Sequence, residues 1–384
     1  MSRALAMPLA HAGGEDRWEG GALVAGVALL SGFGLVALYS ASAFLAHSDG
    51  LPGHYYALRQ LLGMAAGTVL AFALSRVDYR RLRRLAWPLL ALSVILLVVL
   101  VLPWTEQLAP RVNGARRWLH LGVAFQPSEF AEWAALVWTA ALTVKKRDRL
   151  HSLSKGLLPF LLVWGGLAGL IVLQPNLSSA LLLLLLCATV LFAGGARVGH
   201  FIVLGMAAVP VIWGQIEAAA YRSQRIAAFL DPAADPVGSG YQIRQSLISV
   251  GSGGYFGVGF GESRQKFGFL PEPHNDFIFA MIAEEWGMAG SGLVLLLFGA
   301  IGWVGFRIAG RAPDLFGHLL AVGMTLLLVV PALLHVGVNL ALLPATGVTL
   351  PFVSFGRSAL LASFAAVGVL LSIHRNRAEE GVAA

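Results

Sequence analysis

Charge is scarce in this chain. Only 12% of its 384 residues are Asp, Glu, Lys or Arg, against about 25% in an ordinary soluble domain, while 57% are hydrophobic. A water-soluble globule is excluded on that balance. Cysteine is nearly absent: Cys187 stands alone in the run LLLLLLCATVLF, so neither an intrachain disulfide nor a Cys-based metal site can form. The first twenty residues lack an uninterrupted apolar core with a small-residue cleavage site, and mix Arg3 and Arg17 with Glu15, Asp16 and Glu19. They read as a short cytoplasmic tail, residues 1–21, and not as a signal peptide. No lysine with Ser or Thr closes the glycine run SVGSGGYFGVGFGES as a P-loop, and no ligand spacing relates His54, His120, His200, His318, His335 and His374. Nucleotide and zinc sites are therefore unsupported. The net charge of +7 falls in short clusters between apolar runs and not along one polar face, which argues against a nucleic-acid partner.

Long apolar segments are abundant instead. A membrane-spanning helix needs about 20 mostly apolar residues. Ten segments qualify, near 22–45, 56–75, 86–103, 126–144, 157–173, 178–195, 199–216, 287–307, 316–341 and 354–373. The fourth and seventh are weakest, because Glu129 and Glu132 interrupt one and Pro210 and Gln215 the other. The expected fold is all-α, a polytopic bundle of about ten transmembrane helices forming one membrane domain over 22–374, with a tail at 375–384. Basic residues in short loops mark the cytoplasmic side. Arg76, Arg80, Arg81, Arg83 and Arg84 share one such loop and Lys145, Lys146, Arg147, Arg149 and Lys155 the next, so both termini are expected inside. One long outer connection remains, about 217–286, far beyond the usual 4–6 residues and rich in aromatics and glycine. A loop of that length usually carries function.

Three stretches bear chemistry. In PRVNGARRWLHLG, Arg116, Arg117 and Trp118 precede the fourth helix. They suit either a basic anchor beside an interfacial tryptophan or a clamp on the oxygens of a phosphorylated lipid. In QPSEFAEW, Glu129 and Glu132 lie three apart and so share a helix face; carboxylates entering a membrane should face a polar cavity or a cation, unless they are neutralised structural groups. In KFGFLPEPHNDFIFAMIAEEWG, Lys266, Glu272, His274, Asp276, Glu284 and Glu285 accompany a run otherwise fit for the membrane. Asp276 precedes Phe277, Ile278 and Phe279, so desolvation should raise its pKa and make it a better proton acceptor. The competing reading is a capping aspartate that starts a helix after Pro273.

These stretches, with GYQIRQSLISVGSGGYFGVGFGESRQK and VNLALLPATGVTLPFVSFG, resemble in order and spacing the SEDS proteins of bacterial shape, elongation, division and sporulation. The resemblance runs from about 22 to 374 and is nearer the division type, FtsW, than the elongation type, RodA. It implies a peptidoglycan glycosyltransferase that polymerises lipid II at the outer face of the cytoplasmic membrane, serving division or elongation. It also implies a class B penicillin-binding protein as partner. The family's essential aspartate falls on Asp276, its arginine before the motif tryptophan on Arg117, and its P-S-E glutamate on Glu129. Arg116, Trp118, Gln242, Gln245, Lys266, Glu272, His274 and Ser354, within the matching motifs, complete the candidate substrate-binding set. The resemblance further implies a divalent cation, magnesium or manganese, and no organic cofactor. Four positions depart from the family pattern: Glu132 replaces a lysine, Asn176 an acidic residue, Asn275 a threonine and Arg357 a glycine. Arg357 is a candidate to restore the positive charge lost at Glu132.

Lipid II carries an α-linked pyrophosphate and the glycan is β-linked, so one inverting displacement with one general base suffices. Asp276 is the expected base, with Arg116, Arg117 and Lys266 stabilising the departing pyrophosphate. Two other classes fit a polar ten-helix bundle: a lipid II flippase, which needs a polar path open to both faces, and a non-catalytic scaffold for the transpeptidase. Synthesis of glycan strands by the purified protein separates the three.

Overall fold

Lipid offers backbone groups no hydrogen-bond partners, so a spanning segment must satisfy them internally, and each of the ten apolar runs folds as a helix. The computed structural model describes residues 18–383 apart from 113, 121, 123 and 232–237. Residues 1–17, Asn113 of the PRVNGARRWLHLG stretch and 232–237 of the long connection lie outside the described residues. The helices are α1 (Trp18–Ser48), α2 (Tyr55–Arg76), α3 (Arg80–Val101), α4 (Pro127–Lys145), α5 (Leu158–Val172), α6 (Leu177–Ala193), α7 (Val198–Glu217), α8 (Ala220–Leu230), α9 (Ser239–Ser252), α10 (Ile278–Gly310), α11 (Leu315–Asn339) and α12 (Arg357–Ala383). Ten of them coincide with the ten expected spans, the two weakest included. Pro127 opens α4, where its missing N–H would have had no helical partner. The only strands among the described residues are β1 (Leu119–His120) and β2 (Ala124–Phe125), a short antiparallel pair before α4.

The long connection is shorter and more ordered than its sequence suggests. It carries α8 and α9, and α10 starts at Ile278 rather than near 287. Hydropathy ended the span early because Glu284 and Glu285 look too polar to enter it. Both are buried with partners. Glu284 accepts from the Ser263 hydroxyl at 2.6 Å, the Ser249 hydroxyl at 3.0 Å and the Arg264 amide at 3.1 Å, while Glu285 accepts from the Ser40 hydroxyl at 2.6 Å. Gly287, at φ 64°, bends α10 just beyond them, and the amides of Met288 and Ala289 bond the carbonyls of Gly254 and Tyr255. The glycine-rich run is thus a strap pinned to a kinked helix.

Packing centres on α11, which touches α10, α12, α4 and α6 and is buried along most of its length. On another side α12 lies along α2. A Cβ at Gly368 would sit 2.6 Å from the Ala71 carbonyl oxygen, so only glycine permits that approach. By contrast none of the residues of α7 is buried, as expected of a helix that lipid surrounds.

One ion cluster ties the ends of three helices. Glu19, expected in a free tail, is fully buried in the first turn of α1. Its carboxylate meets Arg311 Nη1 at 2.6 Å, Arg377 Nη1 at 3.2 Å, Arg307 Nε at 3.3 Å and His374 Nδ1 at 3.6 Å. Removing the buried anion leaves its cations uncompensated, which costs about 3–5 kcal/mol. Glu19→Gln should therefore lower the thermal midpoint of the detergent-solubilised protein markedly; an unchanged midpoint would show that the cluster does not hold these helices together.

Candidate functional site

Asp276 sits at the end of the irregular segment that enters α10. Helix propensity would have a side chain at this point cap the helix, yet the N-cap residue is Phe277 and no local side chain caps it. Asn339, the last residue of α11, does so from another helix. Its Oδ1 accepts from the Ala280 amide at 2.9 Å and its Nδ2 donates to the Asp276 carbonyl at 3.0 Å and the His335 carbonyl at 2.8 Å. The two preceding carbonyls are also held: Ser354 Oγ donates to Asn275 at 2.7 Å, and the Phe355 amide to His274 at 3.0 Å. Three consecutive carbonyls are thus clamped by donors from the end of α11 and the segment before α12.

The Asp276 carboxylate is left out of this clamp, and among the described residues no hydrogen bond ends on it. The reading of Asp276 as a helix cap is therefore overturned. Burial pushes its pKa up to about 6, Glu272 adds to the rise, and Arg225 and Arg117 oppose it. Gly347, at φ 72°, lies against it: a Cβ there would be 3.7 Å from Asp276 Oδ2.

Gly347 also lines a cavity of about 80 Å³ with Arg117, Trp118, Glu129, Glu132 and Asn176. Asp276 is not itself a lining residue but stands beside Gly347 of the cavity wall. Glu129 and Glu132 are one turn apart at the start of α4, where the positive end of the helix dipole favours carboxylates. Arg117 approaches from the loop before β1 and donates to the Gln174 carbonyl at 3.4 Å and to the Pro175 carbonyl, just past the end of α5. Asn176 caps α6 by accepting from the Ser179 amide.

The remaining predicted residues are dispersed. Arg116 is spent on the Leu102 carbonyl at 3.0 Å and on Glu106, so it braces its loop and does not line the cavity. Lys266 bonds the Gly261 carbonyl and lies 3.9 Å from Glu285, in the strap. Glu272 is exposed at φ 51°, 3.9 Å from His274. His274 is buried against Tyr56 and Phe355, ring centroids 4.8 and 6.0 Å away, and that burial lowers its pKa, keeping it neutral. Ser354 is a staple of the clamp. Gln242 and Gln245 are half-buried on α9. Arg357 does not line the cavity, and no ion pair joins it to Glu132 among the described residues, so it does not restore the missing charge.

Sequence reasoning passed over Asn339, Gly347, Tyr221 and Arg225. The last two lie on α8, where Arg225 donates to the Ala345 carbonyl at 3.3 Å and Tyr221 to the Pro175 carbonyl at 3.2 Å. A tyrosine and two arginines in the amphipathic AYRSQRIAAFL were the available signal. No cluster of three or more His, Cys, Asp and Glu forms a metal cage among the described residues. Magnesium and manganese need no such cage when substrate phosphates complete the shell, and the two carboxylates of Glu129 and Glu132 in one cavity fit that role.

Comparison with known proteins follows the same outline. Residues 21–379 match the model of a cell cycle protein family that groups FtsW, RodA and SpoVE. Stage V sporulation protein E of Bacillus subtilis is 40% identical over 348 residues, 90% of this chain and 94% of the relative. A probable peptidoglycan glycosyltransferase FtsW of Trichlorobacter lovleyi is 42% identical over 348 residues, 90% and 91% of the two chains. A chain of a peptidoglycan synthase complex that coordinates polymerization and crosslinking aligns with TM-score 0.76 at 30% identity, covering 92% of this chain and 97% of that one. The rod shape determining protein RodA of Thermus thermophilus aligns with TM-score 0.67 at 29% identity, covering 92% and 96%.

The clamp itself is testable. Asn339→Ala leaves the Ala280 amide and the Asp276 carbonyl without their partner, at a cost of about 1–3 kcal/mol. Hydrogen exchange in a peptide spanning 275–283 should accelerate while the rest of α10 stays protected; unchanged exchange there would show that Asn339 does not cap the helix.

Proposed function

Because this chain belongs to the cell cycle protein family of FtsW, RodA and SpoVE, we propose that it is a peptidoglycan glycosyltransferase that polymerises lipid II, with Asp276 as its general base. The observation that carries the reading is Asp276 itself: its carbonyl and those of the two residues before it are clamped, its carboxylate is unengaged, and it stands beside a cavity lined by Arg117. A base needs that combination of fixed position and open lone pairs.

In this reading Asp276 takes the proton from the acceptor sugar hydroxyl as that oxygen attacks the donor anomeric carbon, and the pyrophosphate leaves with inversion. Arg117, held by two carbonyls at the cavity wall, stabilises the charge on the leaving group, and Arg225 adds positive potential from α8. Arg116 and Lys266, engaged elsewhere, have no direct part. Asn339, Ser354 and the Phe355 amide hold the base in place. Glu129 and Glu132 would hold a divalent cation, which when bound neutralises pyrophosphate charge.

The cavity lies at the end of α4 opposite Lys145, Lys146, Arg147 and Arg149. That supports a site on the outer face of the cytoplasmic membrane with both termini inside. The solved synthase complex supports a class B penicillin-binding protein as partner. Gly292 and Gly299 of α10 have no atom within 4 Å of an added Cβ and offer a face for its membrane helix, whereas α11 is already enclosed.

Two experiments bear on this. Asp276→Asn keeps the shape but cannot accept a proton, so lipid II polymerisation should fall about 100- to 10,000-fold with folding intact, while Glu272→Gln stays active. The wild-type rate should be flat above neutral pH and fall as pH drops through about 6, where the base protonates. Full activity of Asp276→Asn would move the base elsewhere, Glu129 first. For orientation, Cys187 is buried and silent, so single cysteines report cleanly. Glu262→Cys should react with an impermeant maleimide on intact cells and Asp148→Cys should not; the reverse pattern would invert the topology.

A further inference from the structure

At the end of the bundle away from the cavity, the first turns of α3 and α11 meet. Arg80, Arg83 and Arg84, spaced i, i+3 and i+4, share one face of α3. With Val144 of α4 and Leu315 and Phe316 of α11 they line an open pocket of about 560 Å³. Nothing in the proposed reaction uses it.

The one acid in the pocket is committed. Asp314 accepts from the Tyr79 hydroxyl at 2.6 Å, the Gly317 amide at 2.7 Å and Arg80 Nε at 3.1 Å. Arg83 and Arg84 are exposed, and among the described residues neither has a hydrogen bond or an ion pair. Their charges therefore face the mouth uncompensated, and the positive ends of two helix dipoles add to them. The inner wall, Val144, Leu315 and Phe316, is apolar. One turn further along the same face of α3, Trp87 is 61% exposed and edge-on to Trp138 at 5.5 Å, the placement of an interfacial tryptophan.

We propose that this pocket binds the headgroup of an anionic glycerophospholipid of the adjoining leaflet. The phosphate meets Arg83 and Arg84, and the acyl chains run along Val144 and Leu315 and past Trp87. A free phosphate would satisfy the arginines but leave the apolar wall without a partner, and basic pockets between membrane helices commonly take such headgroups. The site is independent of the reaction at the other end.

The full-length protein and the double variant Arg83→Gln/Arg84→Gln are titrated in phosphatidylcholine nanodiscs with phosphatidylglycerol or cardiolipin, and bound lipid is counted by native mass spectrometry. Each basic residue near an anionic surface contributes about fivefold, so the double variant should bind about 25-fold more weakly. Arg147→Gln/Arg149→Gln, in a neighbouring basic loop, should change little. Equal retention of phosphatidylcholine, an unaffected double variant, or the same loss in the control pair would overturn the proposal. Displacement of the lipid by inorganic phosphate alone would reassign the pocket to a soluble anion and overturn it too. Should the glutamine variant fail to fold, Arg83→Lys/Arg84→Lys keeps the charge and should retain most of the binding; its failure to bind while folded would equally sink the idea.

Discussion

A polar group inside a membrane bundle must find its partner within the protein, because lipid supplies none. This constraint organises the molecule. Glu19, Glu284, Glu285 and Asn339 are all buried, and each is satisfied from a different part of the chain. Each therefore works as a tie: Glu19 joins α1 to the ends of α10 and α12, Glu285 joins α10 to α1, and Glu284 holds the strap against α10. Apolar packing alone would let these helices slide, since one lipid-like surface is much like another. The polar ties give them a register.

The same rule makes the exception informative. Around Asp276 the backbone is over-determined, with three successive carbonyls engaged, while the carboxylate is spared. Among the described residues Glu129 and Glu132, which line the cavity with Arg117, and Asp276, which stands beside it, have no hydrogen bond or ion pair on their carboxyl groups. That is the signature of groups kept for a reaction partner rather than for folding. Asn275 and Asn176, two of the departures from the family pattern, are compatible with it: the carbonyl of Asn275 is a clamp point whatever its side chain, and Asn176 caps α6 as an acid would. Glu132 differs in kind, since it places a second carboxyl group in the cavity at a position where the family resemblance leads one to expect a lysine, and Arg357 does not answer it.

The two ends of the bundle divide the work by charge. At one end carboxylates and Arg117 surround a polar cavity; at the other, arginines of α3 crowd an apolar pocket. A helix bundle of uniform apolar character has no intrinsic direction, and this asymmetry supplies one.

The ten apolar helices, eight of them long and apolar enough to cross a membrane, the all-α class and the candidate aspartate were legible in the sequence, because a run of about 20 apolar residues has one viable structure in lipid and an acid beside such a run must be exceptional. The start of α10 was not legible, since hydropathy reads Glu284 and Glu285 as solvent-seeking and cannot see Ser40 or Ser263 waiting for them. Nor was the division of labour between Arg116 and Arg117, neighbours in sequence, one spent on Glu106 and the other turned into the cavity. Asn339 lies over sixty residues from Asp276 and reads as an ordinary polar residue near a helix end. Local sequence determined which segments are helices and which side chains carry chemistry. Tertiary structure alone decided which carboxylates are satisfied and which are left free, because a buried polar group is settled by whatever distant donor the packed helices bring within 3 Å, and no local pattern records that meeting.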